Sequence, residues 1–121
     1  MVSFLNELRL AGIKTAIGSA SKNAPLILTR LNLTSFFDAI IDGNRVSKAK
    51  PDPAVFLKGA AALEVSAQEC VVFEDAAAGV EASLNGGMKC IGIGETINLG
   101  MAHMVIPGFQ SFTLKDLEQM N

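Results

Sequence analysis

The segment that most constrains this chain is Cys70-Val71-Val72-Phe73-Glu74-Asp75-Ala76-Ala77-Ala78-Gly79-Val80. Strand-forming residues run straight into two adjacent carboxylates, and small residues with helical spacing follow. This reads as a strand delivering acids to the carboxyl edge of a sheet, where the loops of open α/β sheets form the ligand crevice. No basic residue stands between Cys70 and Gly87 to neutralise the pair. One reading places a hard divalent cation there, since Mg2+ takes one or two carboxylates together with water and phosphate oxygens. The other makes Asp75 the cap of a helix that begins at Ala76, favouring its positive end.

The flanking chain alternates helix and strand. Phe4, Leu5, Leu8 and Ala11 recur at helical spacing over residues 3–11, and Gly12 ends that helix. Residues 13–18 read as a strand, 24–33 as a helix with Pro25 in its first turn, and Ala39-Ile40-Ile41 as a short buried strand. Phe36 and Phe37 are expected to plug the core. Asp52 and Pro53 suit the start of a helix running to about Leu63, with Val55, Phe56, Ala60 and Leu63 as its buried stripe. After the central strand, a helix runs to about Asn85 and stops at Gly86-Gly87. Residues 89–93 and 104–106 read as strands separated by a loop from Gly94 to Gly100, and Thr113 with Asp116 forms a capping box for a helix over 114–120. This order predicts one α/β domain over residues 1–121, a doubly wound parallel sheet with helices on both faces.

Composition narrows the function. At 121 residues the chain has the size of one domain, and 50% hydrophobic with only 18% charged residues permits a substantial core. A net charge of -2 and a pI near 5.3 lack the basic excess of a nucleic-acid binder. No run is apolar for the ~18 residues that a membrane span needs, and the N-terminal segment lacks the order of a signal peptide, so a cytoplasmic protein is expected. Cys70 and Cys90 fall in predicted strands without CxxC spacing and read as reduced, buried thiols. His103 has no partner pattern and reads as a surface or strand-edge residue. Neither GxGxxG nor GxxxxGK[ST] follows a strand, which disfavours a nucleotide binder of those types.

Three strand-end loops carry polar chemistry: Ser19 to Asn23, the Lys48 to Lys50 segment, and Glu74-Asp75. In a parallel sheet the first and third emerge on the same edge. Hydroxyl and N–H donors, an ammonium and a divalent cation around one small anion are what phosphoryl transfer requires, because catalysis there is mostly positioning and charge neutralisation. Ser19 is placed either to donate to a phosphate oxygen or to cap the helix after it. Lys50, with Pro51 behind it, is read as functional, and Lys48 as solvated.

The segments Ile17-Gly18-Ser19-Ala20-Ser21-Lys22-Asn23, Lys50-Pro51-Asp52-Pro53-Ala54-Val55-Phe56 and Phe73-Glu74-Asp75, with Ala78-Gly79-Val80 and Ala82, resemble motifs two, three and four of the haloacid dehalogenase-like superfamily. The β-phosphoglucomutase and phosphatase branch is the best fit, and the resemblance extends through Gly86-Gly87-Met88 and Ile91-Gly92-Ile93-Gly94. It implies a Rossmann-like core. It also implies that Ser19 and the Ala20 N–H bind the transferring phosphate, that Lys50 neutralises it and the nucleophile, and that Glu74 and Asp75 hold Mg2+. Ser21, Lys22 and Asn23 resemble the segment that holds a second phosphate of a phosphorylated sugar, which favours mutase over phosphatase. Ala76 stands where related proteins often carry a hydroxyl residue.

Motif one of that superfamily, Asp-x-Asp, supplies the nucleophile and the general acid/base, and no Asp-x-Asp occurs in this sequence. The resemblance therefore covers a partial core without the first strand and the cap domain. Without a nucleophile no aspartyl-phosphate forms, so this chain alone is expected neither to isomerise nor to hydrolyse sugar phosphates. The first strand of the superfamily lies between the strands ending near Ser19 and Glu74. Its absence predicts either direct pairing of those two strands or association, including self-association, through the exposed edges. A non-catalytic phosphate-binding or interaction module is the remaining reading.

Overall fold

The computed structural model describes residues 2–18, 37–41, 52–95, 99–108 and 112–118. Helix α1 (Val2–Leu10) leads to β1 (Ala16–Gly18) and β2 (Ala39–Ile41); then come α2 (Ala54–Leu63), a 3₁₀ turn (Ala67–Glu69), β3 (Val71–Glu74), α3 (Ala77–Asn85), β4 (Lys89–Ile93), β5 (Met104–Ile106) and α4 (Leu114–Glu118). The expected helix over 24–33, Phe36 and residues 119–120 of the last helix lie outside the described residues.

All pairing recorded among the described residues is parallel. In one sheet Ile17 faces Ile40 and Gly18 faces Ile41. In the other, order β3-β4-β5, Val72 faces Cys90, Glu74 faces Gly92, and Ile91 faces Met104. The α/β expectation holds, but as a two-stranded and a three-stranded sheet. Direct pairing of β1 with β3 is not among the ladders of the described residues.

Strand period places alternate side chains on opposite faces, and the two apolar clusters obey it. Val71, Phe73, Ile91, Met104 and Ile106 meet Phe4, Leu5 and Leu8 of α1 and Leu114 and Leu117 of α4, with Phe112 and Phe37. Cys90 and Val105 turn the other way, onto Val80 and Leu84 of α3 with Leu99 and Ala102. Helices thus cover both faces of the three-stranded sheet. Phe4, Phe73 and Phe112 form an edge-to-face triad with centroids 5.3 to 5.8 Å apart, the arrangement that aromatic quadrupoles favour.

The helix ends follow their sequence signals. Gly12, at φ +76°, closes α1 with Gly12 N–H donating to Arg9 O and Ile13 N–H to Leu8 O. That closure draws Ile13 out of the strand expected over 13–18, and the ladder starts only at Ala16. In the capping box, Thr113 N–H donates to Asp116 Oδ2 at 2.9 Å and Asp116 N–H to Thr113 Oγ1 at 3.4 Å. Cys70 sits before β3, its N–H closing the 3₁₀ turn onto Ala67 O, which corrects its expected place inside the strand. No helix among the described residues is long and apolar enough to cross a membrane.

Candidate active site

Strand β3 ends on Glu74, and period two decides where that carboxylate goes. Phe73 is held in the aromatic triad on the α1 face. Glu74 therefore turns to the α3 face. Its Oε1 accepts the N–H groups of Asp75 at 3.1 Å and of Ala76 at 3.3 Å, and its side chain lies against Gly79 in the first turn of α3. A Cβ at position 79 would overlap Glu74 Cγ, Cδ and Oε2, so the glycine makes the seat for the carboxylate. Anionic oxygens at a helix N-terminus are favoured by the aligned peptide dipoles and the N–H groups left over there.

This corrects the capping reading of Asp75. The residue at the N-cap of α3 is Ala76, extended at φ -121° and ψ 143°, with no side-chain capping bond. Glu74 holds the backbone that leads into the helix, and Asp75 is exposed beside it. Two carboxylates on consecutive residues at a strand's carboxyl end form an all-oxygen donor set, the kind that hard divalent cations select. Among the described residues no group of three or more His, Cys, Asp or Glu side chains converges on one point.

The other candidates, Ser19, Ala20, Ser21, Lys22, Asn23 and Lys50, lie outside the described residues, as does Lys48. The backbone on either side of them is described. Gly18, which ends β1, packs under the first turn of α2, and a Cβ there would stand 3.0 Å from Val55 Cγ2 and 3.5 Å from the Phe56 ring. Just before that turn, Asp52 Oδ1 accepts the Ala54 N–H at 2.9 Å, while Pro53 occupies the N-cap. The residue preceding Ser19 and the turn shortly after Lys50 are thus in contact.

One placement escaped the sequence, and one expected burial is found. Gly79 is the seat of Glu74, signalled only by a small residue one helical turn past the acids. Cys90, completely buried, has its thiol raised above the usual value, mainly by burial, with the Glu74 charge also raising it and a Ser83 hydrogen bond opposing.

Residues 1–93 match the family model of the haloacid dehalogenase-like hydrolases. The chain belongs to that family. It is 39% identical over 115 residues to the β-phosphoglucomutase of Bacillus subtilis, covering 95% of this chain and 51% of that protein. It is 36% identical over 93 residues to the phosphorylated carbohydrates phosphatase of Thermotoga maritima, covering 74% of this chain and 43% of that protein. The crystal structure of β-phosphoglucomutase from Clostridium difficile superposes with a TM-score of 0.94 at 33% identity, covering 98% of this chain and 53% of that one. The haloacid dehalogenase-like chain thus spans about half the length of these relatives. Both mutase and phosphatase occur among them, and the parallel sheets clad by helices agree with the family's Rossmann-like core.

Proposed function

We propose that residues 1–121, as a partial haloacid dehalogenase-like core, supply the phosphate- and cation-binding part of a β-phosphoglucomutase-like phosphotransferase acting on a phosphorylated sugar. The observation that carries this is the Glu74-Asp75 pair at the carboxyl end of β3, with the Glu74 carboxylate seated on Gly79. The similarity to two β-phosphoglucomutases supports the choice of reaction. Glu74 and Asp75 would hold Mg2+, and their oxygen-only chemistry fits it. When bound, the ion supplies neutralisation of phosphate oxygens.

In this reading Ser19 and the Ala20 N–H bind the transferring phosphate, and Lys50 offsets its charge. Ser21, Lys22 and Asn23 hold the second phosphate of the sugar. The sequence has no Asp-x-Asp, so the nucleophile and general acid/base come from outside these residues. Self-association through the sheet edges left by the missing strand, and a cytoplasmic setting in which Cys70 and Cys90 stay reduced, belong to the same proposal. Both cysteines are free thiols. A sugar-phosphate phosphatase is the second reading, favoured by the Thermotoga maritima relative.

The test is titration of the purified chain with Mg2+ and inorganic phosphate, alongside an assay of sugar monophosphates for isomerised product and released phosphate. Binding of both ions without turnover is expected, with Mg2+ binding lost in Asp75→Asn and phosphate binding weakened in Lys50→Met and Ser19→Ala. Turnover by the chain alone would overturn the assignment of an external nucleophile. Failure of Glu74→Gln and Asp75→Asn to change Mg2+ binding would remove the cation site. In a protein that also carries Asp-x-Asp, isomerised product selects the mutase and released phosphate the phosphatase.

A further inference from the structure

The two carboxylates at the end of β3 are adjacent in sequence but differ in what they touch. Glu74 is half-buried and Asp75 exposed. Glu74 still belongs to the ladder, facing Gly92 of β4. Its Oε1 accepts the Asp75 N–H at 3.1 Å and the Ala76 N–H at 3.3 Å, and its Cγ, Cδ and Oε2 lie where a Cβ on Gly79 would stand. Both oxygens of Glu74 are therefore turned to α3, one onto the N–H groups that lead into the helix and the other over its first turn.

The same two bonds fix Asp75. The peptide units on either side of its Cα are each tied to Glu74 through their N–H groups. The next carbonyl, Ala76 O, is tied to α3 by the Gly79 and Val80 N–H groups at 3.1 Å each. A carboxylate oxygen that accepts N–H groups at a helix N-terminus is favoured there by charge-assisted bonding and by the peptide dipoles. Turning it to a cation would give up those bonds and free the backbone that carries Asp75. Mg2+ needs only one or two carboxylates, because it keeps several of its waters. One carboxylate delivered from a fixed backbone meets that need, and preorganisation lowers the entropy cost of binding.

We propose that the pair divides its work: Asp75 is the direct ligand of the cation site proposed above, on which this inference rests, and Glu74 is a positioning residue that acts through the Asp75-Ala76 backbone. The seat on Gly79 commits Glu74 to that role. What Glu74 contributes is an acceptor of the right length, and its charge is secondary.

The test is Mg2+ titration of the full chain, followed through the Asp75 and Ala76 amide signals and the carboxylate 13C signals. Glutamine keeps an Oε1 that accepts both N–H groups but carries no charge, so Glu74→Gln should bind Mg2+ within about threefold of the wild type. Glu74→Ala lacks the acceptor and should bind about 10- to 100-fold more weakly, the range for loss of a group that orients a metal ligand. Its Asp75 and Ala76 amides should also exchange faster while the rest of the fold is kept. Asp75→Asn should lose binding with those amides unchanged. In the wild type, saturation with Mg2+ should move the Asp75 Cγ signal and leave Glu74 Cδ in place. If Glu74→Ala does not fold, the glutamine variant and the carboxylate signals decide. A loss in Glu74→Gln as large as in Asp75→Asn, or a Glu74 Cδ shift equal to that of Asp75 Cγ, would overturn the inference and leave the cation site standing. Unaltered affinity in Glu74→Ala would overturn it too, by reducing Glu74 to support of the helix. A wild type that binds no Mg2+ removes the cation site itself, and this assignment with it.

Discussion

The two sheets are held by different forces. The three-stranded sheet β3-β4-β5 is sealed on both faces by apolar clusters, with Ile91, Cys90 and Val80 at 0 to 2% exposure. Among the described residues the two-stranded sheet β1-β2 packs mainly under α2, and of its six residues only Ile41 is buried. Polar contacts border it: Thr15 N–H donates to Asp38 Oδ2 at 2.8 Å, Asp38 N–H to Thr15 O at 2.7 Å, and Lys14 Nζ to Leu63 O at 2.8 Å. Apolar burial scales with area removed from water, whereas exposed hydrogen bonds contribute little net free energy. Stability should therefore concentrate around β4, with β1-β2 the first part to open.

The largest break in that contrast should come from Ile91→Ala, which removes a fully buried side chain at the centre of β4. A loss of about 3–4 kcal/mol in urea unfolding is expected, against about 1–2 kcal/mol for Ile40→Ala in the half-buried β2. Equal losses would show that the two sheets share one core. Gly79→Ala comes next. Overlap with Glu74 should cost about 1–3 kcal/mol despite alanine's better helix propensity, and should weaken Mg2+ binding together with stability. Unchanged stability would mean that Glu74 does not need its seat.

Asp38→Ala should cost about 1 kcal/mol and speed amide exchange in β1-β2 while leaving β3-β4-β5 unchanged. Glu64 ends α2 at φ +60°, in the left-handed region that favours glycine. Glu64→Gly should therefore raise stability, by about 0.5 kcal/mol once the larger entropy of the unfolded chain is counted. The cysteines grade exposure within the three-stranded sheet itself, without a stability change. Burial raises both thiols, with the Glu69 charge adding at Cys70, so both are protonated at neutral pH. Alkylation should reach half-buried Cys70 well before Cys90. Because both shifts are upward, any contribution to stability holds below the unfolded thiol value and is lost as pH rises through the folded one.

What sequence alone determined here is local or periodic. Period-two strands, the glycine and capping-box ends of the helices and the acidic pair at a strand end follow from steric and hydrogen-bonding rules acting within a few residues. The joint spacing of three motifs also sufficed to reach the family, which residues 1–93 match. Tertiary structure decided the rest, because it depends on which chain segments meet. Asp75 looked like the helix cap, yet Glu74 took the N–H groups, since Phe73 in its aromatic triad turns Glu74 toward α3, where Gly79 leaves room. Leu99, placed by sequence in a loop, became core by lying on Gly92. His103 had no partner within reach along the sequence. Its Nδ1 accepts the Cys90 N–H only because β5 returns beside Cys90, thirteen residues away.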